Sequence, residues 1–248
     1  AMLGPDVAGL ACGRWLGRRG ARELRSQALD AGINFFENAE TYSNGEAERI
    51  MGDVLTDLRW PRDAWCVSSK VFFGAVDNPA PTQKGLSRKH VMDACHQALK
   101  RLRVDYLDLY YCHRPDPDTP IGETVLAMVA LIRQGKVLYW GTSEWPAAAI
   151  REAARFAKEN YLHAPSMEQP QYNLLHRERV ALEYASLYAE LGLGPTIWSP
   201  LASGLLLRKY TYRLPQRPPL GLPQPSRLPA GGPSRPHNPP VPRPRPPP

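Results

Sequence analysis

The sequence predicts an α/β protein, a (β/α)8 barrel in which strands 1–7 are recognisable. Short apolar runs, typical of buried strands, alternate with longer segments of helical apolar spacing at a period of about thirty residues. Because parallel strands need crossover connections, this alternation indicates a parallel sheet. The first strand is not followed by a G-x-G-x-x-G turn, which disfavours a dinucleotide-binding doubly wound sheet.

Seven segments are predicted as strands because they are apolar and are bounded by polar or turn-forming residues. In chain order they are residues 7–12, 33–36, 65–69, 106–112, 137–142, 166–168 and 195–198. Strand 8 and the final helices of a complete barrel have no counterpart in the sequence, so we expect an incomplete barrel.

The intervening helices are predicted from apolar spacing and from residues typical of helix ends. They cover residues 21–31, 45–58, 119–134, 146–159 and 176–191, and a further helix starts after Ser87. Ser87 and Thr119 are predicted as N-caps. Pro120 is predicted at the first helical position, and Gly135 is predicted to end the same helix.

Polar residues at the strand ends indicate a functional site. In a parallel barrel the carboxyl ends of the strands converge on one mouth. The residues at those ends are Glu37, Lys70, His113, Ser143, Gln169 and Trp198. Tyr42 follows in a turn-prone loop. A titratable cluster faced by amide and aromatic groups is what a redox or proton-transfer site needs.

Each titratable residue also has a simpler interpretation on its own. Tyr42 is then a ring packed over a strand end, and Lys70 is a solvated strand terminus. His113 then belongs to a surface turn with Arg114 and Asp116. For a residue considered alone, these interpretations stay open.

Residues 211–248 differ sharply in composition from residues 1–210. They contain 15 of the 27 prolines and six arginines but no Asp or Glu, so they hold six of the formal +7 charges. Proline is excluded from central strands, so we predict a barrel domain over 1–210 and a disordered or polyproline-II tail over 211–248. The pI of 9.3 reflects this tail, and we expect no nucleic-acid binding.

The cysteines and the hydropathy pattern indicate the cellular compartment in which the protein is found. Cys12, Cys66, Cys95 and Cys112 have irregular spacing without a C-x-x-C pair, which predicts reduced thiols and no metal site. The sequence has no apolar run of about 18 residues and no signal-like start, so we expect no membrane insertion. These observations predict a cytoplasmic protein.

Several long motifs carry a resemblance to a known family. They are GINFFENAETYSNGEAERIMG (32–52), SSKVFFG (68–74), KGLSRKHV (84–91), LKRLRVDYLDLYYCHRPDPDTPIGETV (99–125), YWGTSEW (139–145), EQPQYN (168–173) and WSPLASGLL (198–206). With these motifs, residues 7–210 resemble the aldo-keto reductases. Within that family they are most similar to the subgroup that includes the voltage-gated potassium channel β-subunits.

The resemblance implies a barrel enzyme that uses NADPH to reduce a small carbonyl substrate. The family's catalytic Tyr, Lys and His fall on Tyr42, Lys70 and His113, and its Asp falls on Glu37. The positions that hold NADPH or NADP fall on Trp15, Ser143, Gln169, Trp198, Ser199, Pro200, Leu201, Ser203 and Lys209.

The chemistry of carbonyl reduction accounts for these residue types. Hydride delivery to a carbonyl carbon leaves an alkoxide, which the Tyr42 phenol would protonate. Lys70 as a nearby cation would lower the pKa of the phenol from its usual value of about 10, and Glu37 would hold that cation. His113 would hydrogen-bond the carbonyl oxygen and orient the substrate.

Three departures from the family pattern bear on activity. Glu37 has one more methylene than the family's Asp. The loop after Trp15 is shorter and more basic than in the family, with Arg14 where the family usually has Thr. After Leu206 the sequence leaves the family, and with it go most of the groups that bind the adenosine phosphate. A barrel that lacks one strand exposes two sheet edges.

Three functions therefore compete. The first is an NADPH-dependent carbonyl reductase with Tyr42 as proton donor. The second is a channel-β-like regulatory subunit that assembles as a homo-oligomeric ring against a potassium channel. Retention of His113, where animal channel subunits tend to have Asn, favours the first. The third is an inactive truncated product with a damaged barrel.

The tail has three interpretations. A shifted reading frame or a retained intron would give its Pro, Arg, Gly and Leu bias, which cannot build a core. The run 242–246, PRPRP, would otherwise serve as a Pro-rich ligand for small modules. The remaining interpretation is a plain flexible linker.

Overall fold

The computed structural model describes residues 31–57 and 60–206. Within these residues six parallel strands form one sheet in chain order. The strands are β1 (Phe35–Glu37), β2 (Cys66–Val71), β3 (Leu107–Cys112), β4 (Val137–Thr142), β5 (Met167–Glu168) and β6 (Gly194–Pro195). Neighbours in sequence are thus neighbours in the sheet, as repeated β/α units require.

Each of the five connections between these strands contains one α-helix. The helices are α1 (Glu46–Thr56), α2 (Arg88–Leu102), α3 (Ile121–Arg133), α4 (Ala147–Glu159) and α5 (Ala185–Leu191). Shorter 3-10 turns occur at Arg62–Ala64, Pro81–Gln83 and Ala202–Gly204, and a π-helical turn precedes α5 at Arg179–Glu183. The alternation of strands and helices confirms the predicted parallel α/β class.

The sheet is curled. The Tyr111 hydroxyl on β3 lies 2.9 Å from the Thr196 hydroxyl just after β6, although β3 and β6 are three strands apart in the sheet. A flat sheet would separate these residues by about three strand spacings of 4.8 Å. The described strands therefore form part of a barrel, which confirms the predicted incomplete (β/α)8 fold.

A hydrophobic core fills the space between sheet and helices. Val67 on β2 and Leu107 on β3 have no exposed surface, and neither have Val91 and Cys95 on α2 or Ile150 on α4. Burying one such side chain stabilises the fold by about 1.5–3 kcal/mol. The helices thereby fix the strands, and the strands fix the loops at their carboxyl ends.

The predicted helix ends are right in part. The Ser87 side chain accepts a hydrogen bond from the backbone N–H of His90, which confirms the predicted N-cap of α2. Gly135 follows α3 with φ +67°, a left-handed conformation that ends a helix at little cost for glycine. The prediction that Thr119 caps α3 is wrong, because its hydroxyl donates to the Asp116 carboxylate at 2.8 Å. Pro120 is the N-cap residue and has no side-chain hydrogen bond.

The predicted helix 176–191 is wrong in its first half. Residues 179–183 form a π-helical turn, and regular helix begins only at Ala185. Tyr184 directly follows this π-helical turn. It is fully buried, and its hydroxyl donates to the Trp145 carbonyl. Glu183 accepts from the Ala147 amide at 2.8 Å. Tertiary contacts have therefore overridden local helical spacing.

The predicted strand 195–198 is shorter than expected. Strand β6 ends at Pro195, although the Trp198 amide still donates to the Pro170 carbonyl at 3.0 Å. Pro170 has no N–H that could donate a hydrogen bond to the neighbouring strand segment, so the ladder of hydrogen bonds is broken there. An isolated bridge between Gln171 and Trp198 continues the pairing beyond the break.

Other predictions fall outside the described residues. These include the strand 7–12, nearly all of the helix 21–31, and the domain boundary at 210. The chain divides into two compact units between Ala202 and Ser203. The assignment of residues 1–210 to a barrel and 211–248 to a tail stays a prediction.

In the part of the chain that the structure describes, no helix combines the length and the hydrophobicity of a membrane span. The same residues contain no group of three or more His, Cys, Asp or Glu side chains placed to bind a metal ion. The described cysteines, Cys66, Cys95 and Cys112, form no disulfide.

Candidate active site

Backbone hydrogen bonds bring the strand ends to a common edge. The loops that follow β3, β4 and β5 each start with an amide that donates to a carbonyl at the end of the preceding strand in the sheet. These bonds are His113 N to Val71 O (3.0 Å), Ser143 N to Cys112 O (2.9 Å) and Gln169 N to Thr142 O (2.8 Å). The predicted site residues that directly follow β3, β4 and β5 are therefore held side by side by these backbone hydrogen bonds.

Lys70 lies at the centre of the site. It belongs to β2, which extends to Val71, and its side chain has no exposed surface. Its ammonium donates to the Tyr42 hydroxyl at 2.9 Å and to the Asn38 carbonyl at 3.0 Å, and it pairs with the Glu37 carboxylate. The interpretation of Lys70 as a solvated strand terminus is therefore wrong.

Tyr42 is presented by a tight turn after β1. Ser43, Asn44 and Gly45 all have positive φ, at +52°, +54° and +82°. Two consecutive non-glycine residues in this region cost free energy, which the surrounding structure must supply. The turn places the Tyr42 hydroxyl 3.4 Å from a Glu37 oxygen as well as beside Lys70. The ring therefore faces two charged groups and does not merely cover a strand end.

His113 faces Tyr42 across the site. The two rings meet edge to face with 6.0 Å between centroids, and Phe73 meets the imidazole in the same way at 5.2 Å. His113 is buried, and its Nδ1 has no hydrogen-bond partner among the described residues. Burial, then Lys70 and Arg114, hold its pKa well below the usual range. The neutral imidazole keeps one N–H, which can donate to a substrate oxygen.

Arg114 adds a second cation to the site, which the sequence analysis did not include among the candidate site residues. Its guanidinium donates to the His113 carbonyl at 2.5 Å and lies 3.5 Å from the Ser143 hydroxyl. Burial, and then this guanidinium, lower the pKa of Lys70 well below its usual range. The Glu37 contact acts in the opposite direction, because an adjacent carboxylate favours the charged ammonium.

Ser143 and Gln169 lie together, as predicted. Both are buried, and the Ser143 hydroxyl donates to the backbone carbonyl of Gln169 at 2.9 Å. Since Ser143 also adjoins Arg114, the pair is continuous with the His113 side of the site. Hydroxyl and amide groups gathered in this way are suited to binding a carboxamide.

Trp198 is fixed by a residue that sequence analysis missed. Its indole N–H donates to a Glu144 oxygen at 2.9 Å, and the same oxygen accepts from the Gln171 amide at 2.6 Å. The second oxygen of Glu144 pairs with Arg179 at 2.6 Å. Glu144 directly follows Ser143 at the end of β4, so the strand-end rule itself was the signal that could have found it.

Glu168 holds the loop that follows β4 through hydrogen bonds. It is wholly buried on β5 and accepts hydrogen bonds from the hydroxyls of Thr142 and Tyr184. Backbone N–H groups of Glu144 and Trp145 also donate to it. Burial raises the pKa of this carboxyl to about 7. This titratable carboxyl thus holds Thr142, Glu144 and Trp145, the residues on either side of Ser143.

The remaining predicted cofactor positions are placed in part. Ser199 is buried, has φ +53°, and its carbonyl accepts from the Asn173 side chain at 2.9 Å. Pro200 follows directly, and Leu201 is half exposed. The predictions for Trp15, the Ser203 side chain and Lys209 lie outside what the structure describes.

Comparison with known proteins identifies the family. The family model described as "Aldo/keto reductase family" matches residues 17–224. A protein of Oryza sativa subsp. japonica named "Probable voltage-gated potassium channel subunit beta" is 48% identical over 213 residues, which are 84% of this chain and 64% of that protein. A protein of the same name from Arabidopsis thaliana is 46% identical over the same shares.

A Schizosaccharomyces pombe protein named "Putative voltage-gated potassium channel subunit beta" is 42% identical over 220 residues, 86% of this chain and 64% of that protein. The chain thus matches just under two thirds of the length of these relatives. The family match runs past the predicted domain boundary at 210. Because that match covers most of its length, the chain belongs to the aldo/keto reductase family.

Proposed function

We propose that the protein reduces aldehydes and ketones with NADPH, and that Tyr42 donates the proton. The observation that carries this proposal is the 2.9 Å contact between the Tyr42 hydroxyl and the wholly buried ammonium of Lys70. A phenol is a weak acid at neutral pH, and a cation at hydrogen-bond distance favours its phenolate. The pair therefore suits transfer of a proton to an alkoxide.

Glu37 keeps this pair in place. Its carboxylate touches the ammonium of Lys70 and lies 3.4 Å from the Tyr42 hydroxyl. Although Glu is longer than the Asp of the family, it reaches the ammonium directly. The Lys70 ammonium thus contacts a phenol, a carboxylate and a carbonyl, a set that orients all three of its N–H groups.

His113 and Phe73 shape the place where a carbonyl substrate would bind. The neutral imidazole can donate one hydrogen bond to the carbonyl oxygen, and this contact would orient that oxygen toward Tyr42. Phe73, with 41% of its surface exposed, borders the same space and supplies an apolar wall. A small carbonyl compound with an apolar substituent fits these two features.

Ser143, Gln169 and Trp198 fit a nicotinamide. Their hydroxyl, amide and indole groups come from neighbouring strand ends, and Glu144 fixes the indole through its N–H. NADPH, when bound, supplies the hydride. The chain's own contribution is to hold the carboxamide with polar groups and to limit the ring with an aromatic face.

The proposal is tested by following NADPH absorbance with a panel of aldehydes and ketones, and with NADH in parallel. We expect NADPH consumption that depends on the carbonyl compound and saturates with its concentration. Tryptophan fluorescence titration checks cofactor binding separately. Binding of neither nucleotide, or consumption that is the same without any carbonyl compound, would contradict the proposal.

The relatives' names support a second candidate function. Three of them are named as potassium channel β-subunits, so the chain would assemble with copies of itself and bind a channel's cytoplasmic domain. Light scattering and a pull-down with such a domain test this candidate. A monomer that captures no channel domain would reject it.

A cytoplasmic location is supported by the absence of disulfides among the described cysteines.

A further inference from the structure

Glu40 connects the turn that carries Tyr42 to the segment that follows β2. It is buried two residues before Tyr42, and its backbone N–H donates to the Lys70 carbonyl at 3.2 Å. One oxygen of its carboxylate accepts from the amides of Phe72 at 2.8 Å and Gly74 at 2.9 Å. A single buried carboxylate thus holds both amides that flank Phe73.

His90 on α2 holds the other side of this carboxylate. The imidazole is 4% exposed, with Nε2 3.4 Å from the second oxygen of Glu40 and Nδ1 2.9 Å from the Gly85 carbonyl. A carbonyl and an ionised carboxylate both accept hydrogen bonds, so both ring nitrogens need a proton to satisfy them. The geometry therefore calls for the imidazolium form.

The charges around His90 favour the same form. Burial opposes the charge, but Glu40 and the Gly85 carbonyl outweigh it, and Asp93 on the same helix adds to them, so the pKa of His90 is raised. Asp93 is itself paired with Lys89 at 2.7 Å on the exposed face of α2. A cavity of about 270 Å³ is lined by Glu40 and His90 and also by the exposed residues Lys89 and Asp93.

The segment held by this pair borders the active site. Phe73 stands between the two anchored amides, and its ring meets the His113 imidazole at 5.2 Å. The Arg114 guanidinium lies 5.8 Å from the centre of the same ring. Movement of the Phe72–Gly74 backbone would therefore move the wall against which His113 packs.

We propose that His90 is a positioning residue that, as an imidazolium, fixes Glu40 and through it the Phe73 wall of the active site. Loss of its proton breaks one hydrogen bond to Glu40 or Gly85 and loosens the segment around Phe73. The consequence is weaker binding of the carbonyl substrate at high pH. Only this predicted effect on binding of the carbonyl substrate rests on the proposed reductase function.

The first test does not depend on activity. Backbone amide chemical shifts of Phe72 and Gly74 are recorded by NMR as a function of pH, together with the ring signals of His90. We expect the two amides and the ring to share one midpoint, and His90→Gln to remove that transition from both amides. Amides that do not titrate, or that titrate unchanged in His90→Gln, would overturn the proposal.

A second test measures substrate binding and turnover separately. In the wild type, KM for an aldehyde should rise severalfold as His90 loses its proton, whereas in His90→Gln it should stay constant over that range. His96→Gln, on the same helix, is the matched control and should keep the wild-type profile. If His90→Gln does not fold, Glu40→Gln is used, and the His90 ring should then titrate at a lower pH. An unshifted ring transition in that variant would contradict the proposal.

The two tests separate the two proposals. If the amides titrate with His90 but no carbonyl compound is reduced, the positioning role stands and the reductase function fails. If reduction is found but KM follows the same pH profile in wild type and His90→Gln, the reductase function stands and the role of His90 fails.

Discussion

The Tyr42 hydroxyl and the Lys70 ammonium lie 2.9 Å apart, and the ammonium has no exposed surface. The same ammonium pairs with Glu37, so one cation connects a phenol to a carboxylate. Inside a protein such a group is stable only while its partners remain, because each partner offsets part of the cost of burying the charge. The three residues should therefore respond to substitution as a unit.

Replacement of Lys70 tests this coupling. Lys70→Met leaves the buried Glu37 carboxylate without its cation and should lower the free energy of unfolding by about 3–5 kcal/mol. Adding Glu37→Gln should restore part of that loss, because no unpaired charge then remains. Urea unfolding of the two single variants and the double variant gives the coupling energy.

The control for this cycle is Lys89→Met. Lys89 is paired with Asp93 on the surface of α2, and such exposed pairs contribute at most about 1 kcal/mol. Its stability should therefore stay close to that of the wild type. Purely additive effects of Glu37→Gln and Lys70→Met would contradict the coupled unit.

Glu168 should make stability depend on pH. Burial raises its pKa from 4.5 to about 7 in the folded state. Between these values the unfolded chain has released the proton and the folded chain has kept it, so stability falls as pH rises. The loss amounts to roughly 3 kcal/mol across this window and is constant above it.

Glu168→Gln removes this titration. From pH 4.5 to 7 the wild type should lose stability, whereas the variant should not. The difference in unfolding free energy should therefore shift in favour of the variant over this range, whichever of the two proteins is more stable at pH 4.5. Thermal or urea unfolding at several pH values measures it. Glu152→Gln, at an exposed position of α4, should show a constant difference. A constant difference for Glu168→Gln as well would show that this carboxyl titrates normally.

Glu144 should control cofactor binding through Trp198. Glu144→Ala removes the acceptor of the indole N–H, and a hydrogen bond to a charged group contributes about 1.5–3 kcal/mol. We therefore expect NADPH to bind at least about tenfold more weakly. Fluorescence titration measures the dissociation constant, with Glu152→Ala as control. Unchanged binding in Glu144→Ala would remove Trp198 from the cofactor site.

His113 should contribute to catalysis as a neutral donor. His113→Asn keeps a side-chain N–H but moves it, so kcat/KM should fall by about 10²–10³. Because its pKa is held well below the usual range, the wild type should show no loss of kcat/KM between pH 6 and 8 from titration of His113. Full activity in His113→Asn would contradict this role, and His96→Asn serves as control.

Much of the site followed from one regularity of the sequence. Apolar runs end in polar residues, and parallel strands bring those ends together, so Lys70, His113 and Ser143 could be predicted as neighbours. The contact between Lys70 and Tyr42 needed the resemblance as well, because Tyr42 lies in a loop whose turn depends on positive φ at Ser43.

The supporting residues could not be predicted in the same way. Glu40 and His90 are separated by fifty positions in the chain, and only the packing of α2 against the loop after β1 makes them neighbours. The π-helical turn before Tyr184 likewise depends on contacts with Trp145 and Glu168. Local spacing carries no information about such pairs.

The most direct test of the central claim is the rate of carbonyl-dependent NADPH oxidation by Tyr42→Phe. Tyr161→Phe is the matched control, since that ring is 97% exposed. If Tyr42 is the proton donor, Tyr42→Phe should bind NADPH like the wild type and lose about 10²–10⁴-fold in kcat, while Tyr161→Phe loses nothing. Equal rates in wild type and Tyr42→Phe would contradict the account.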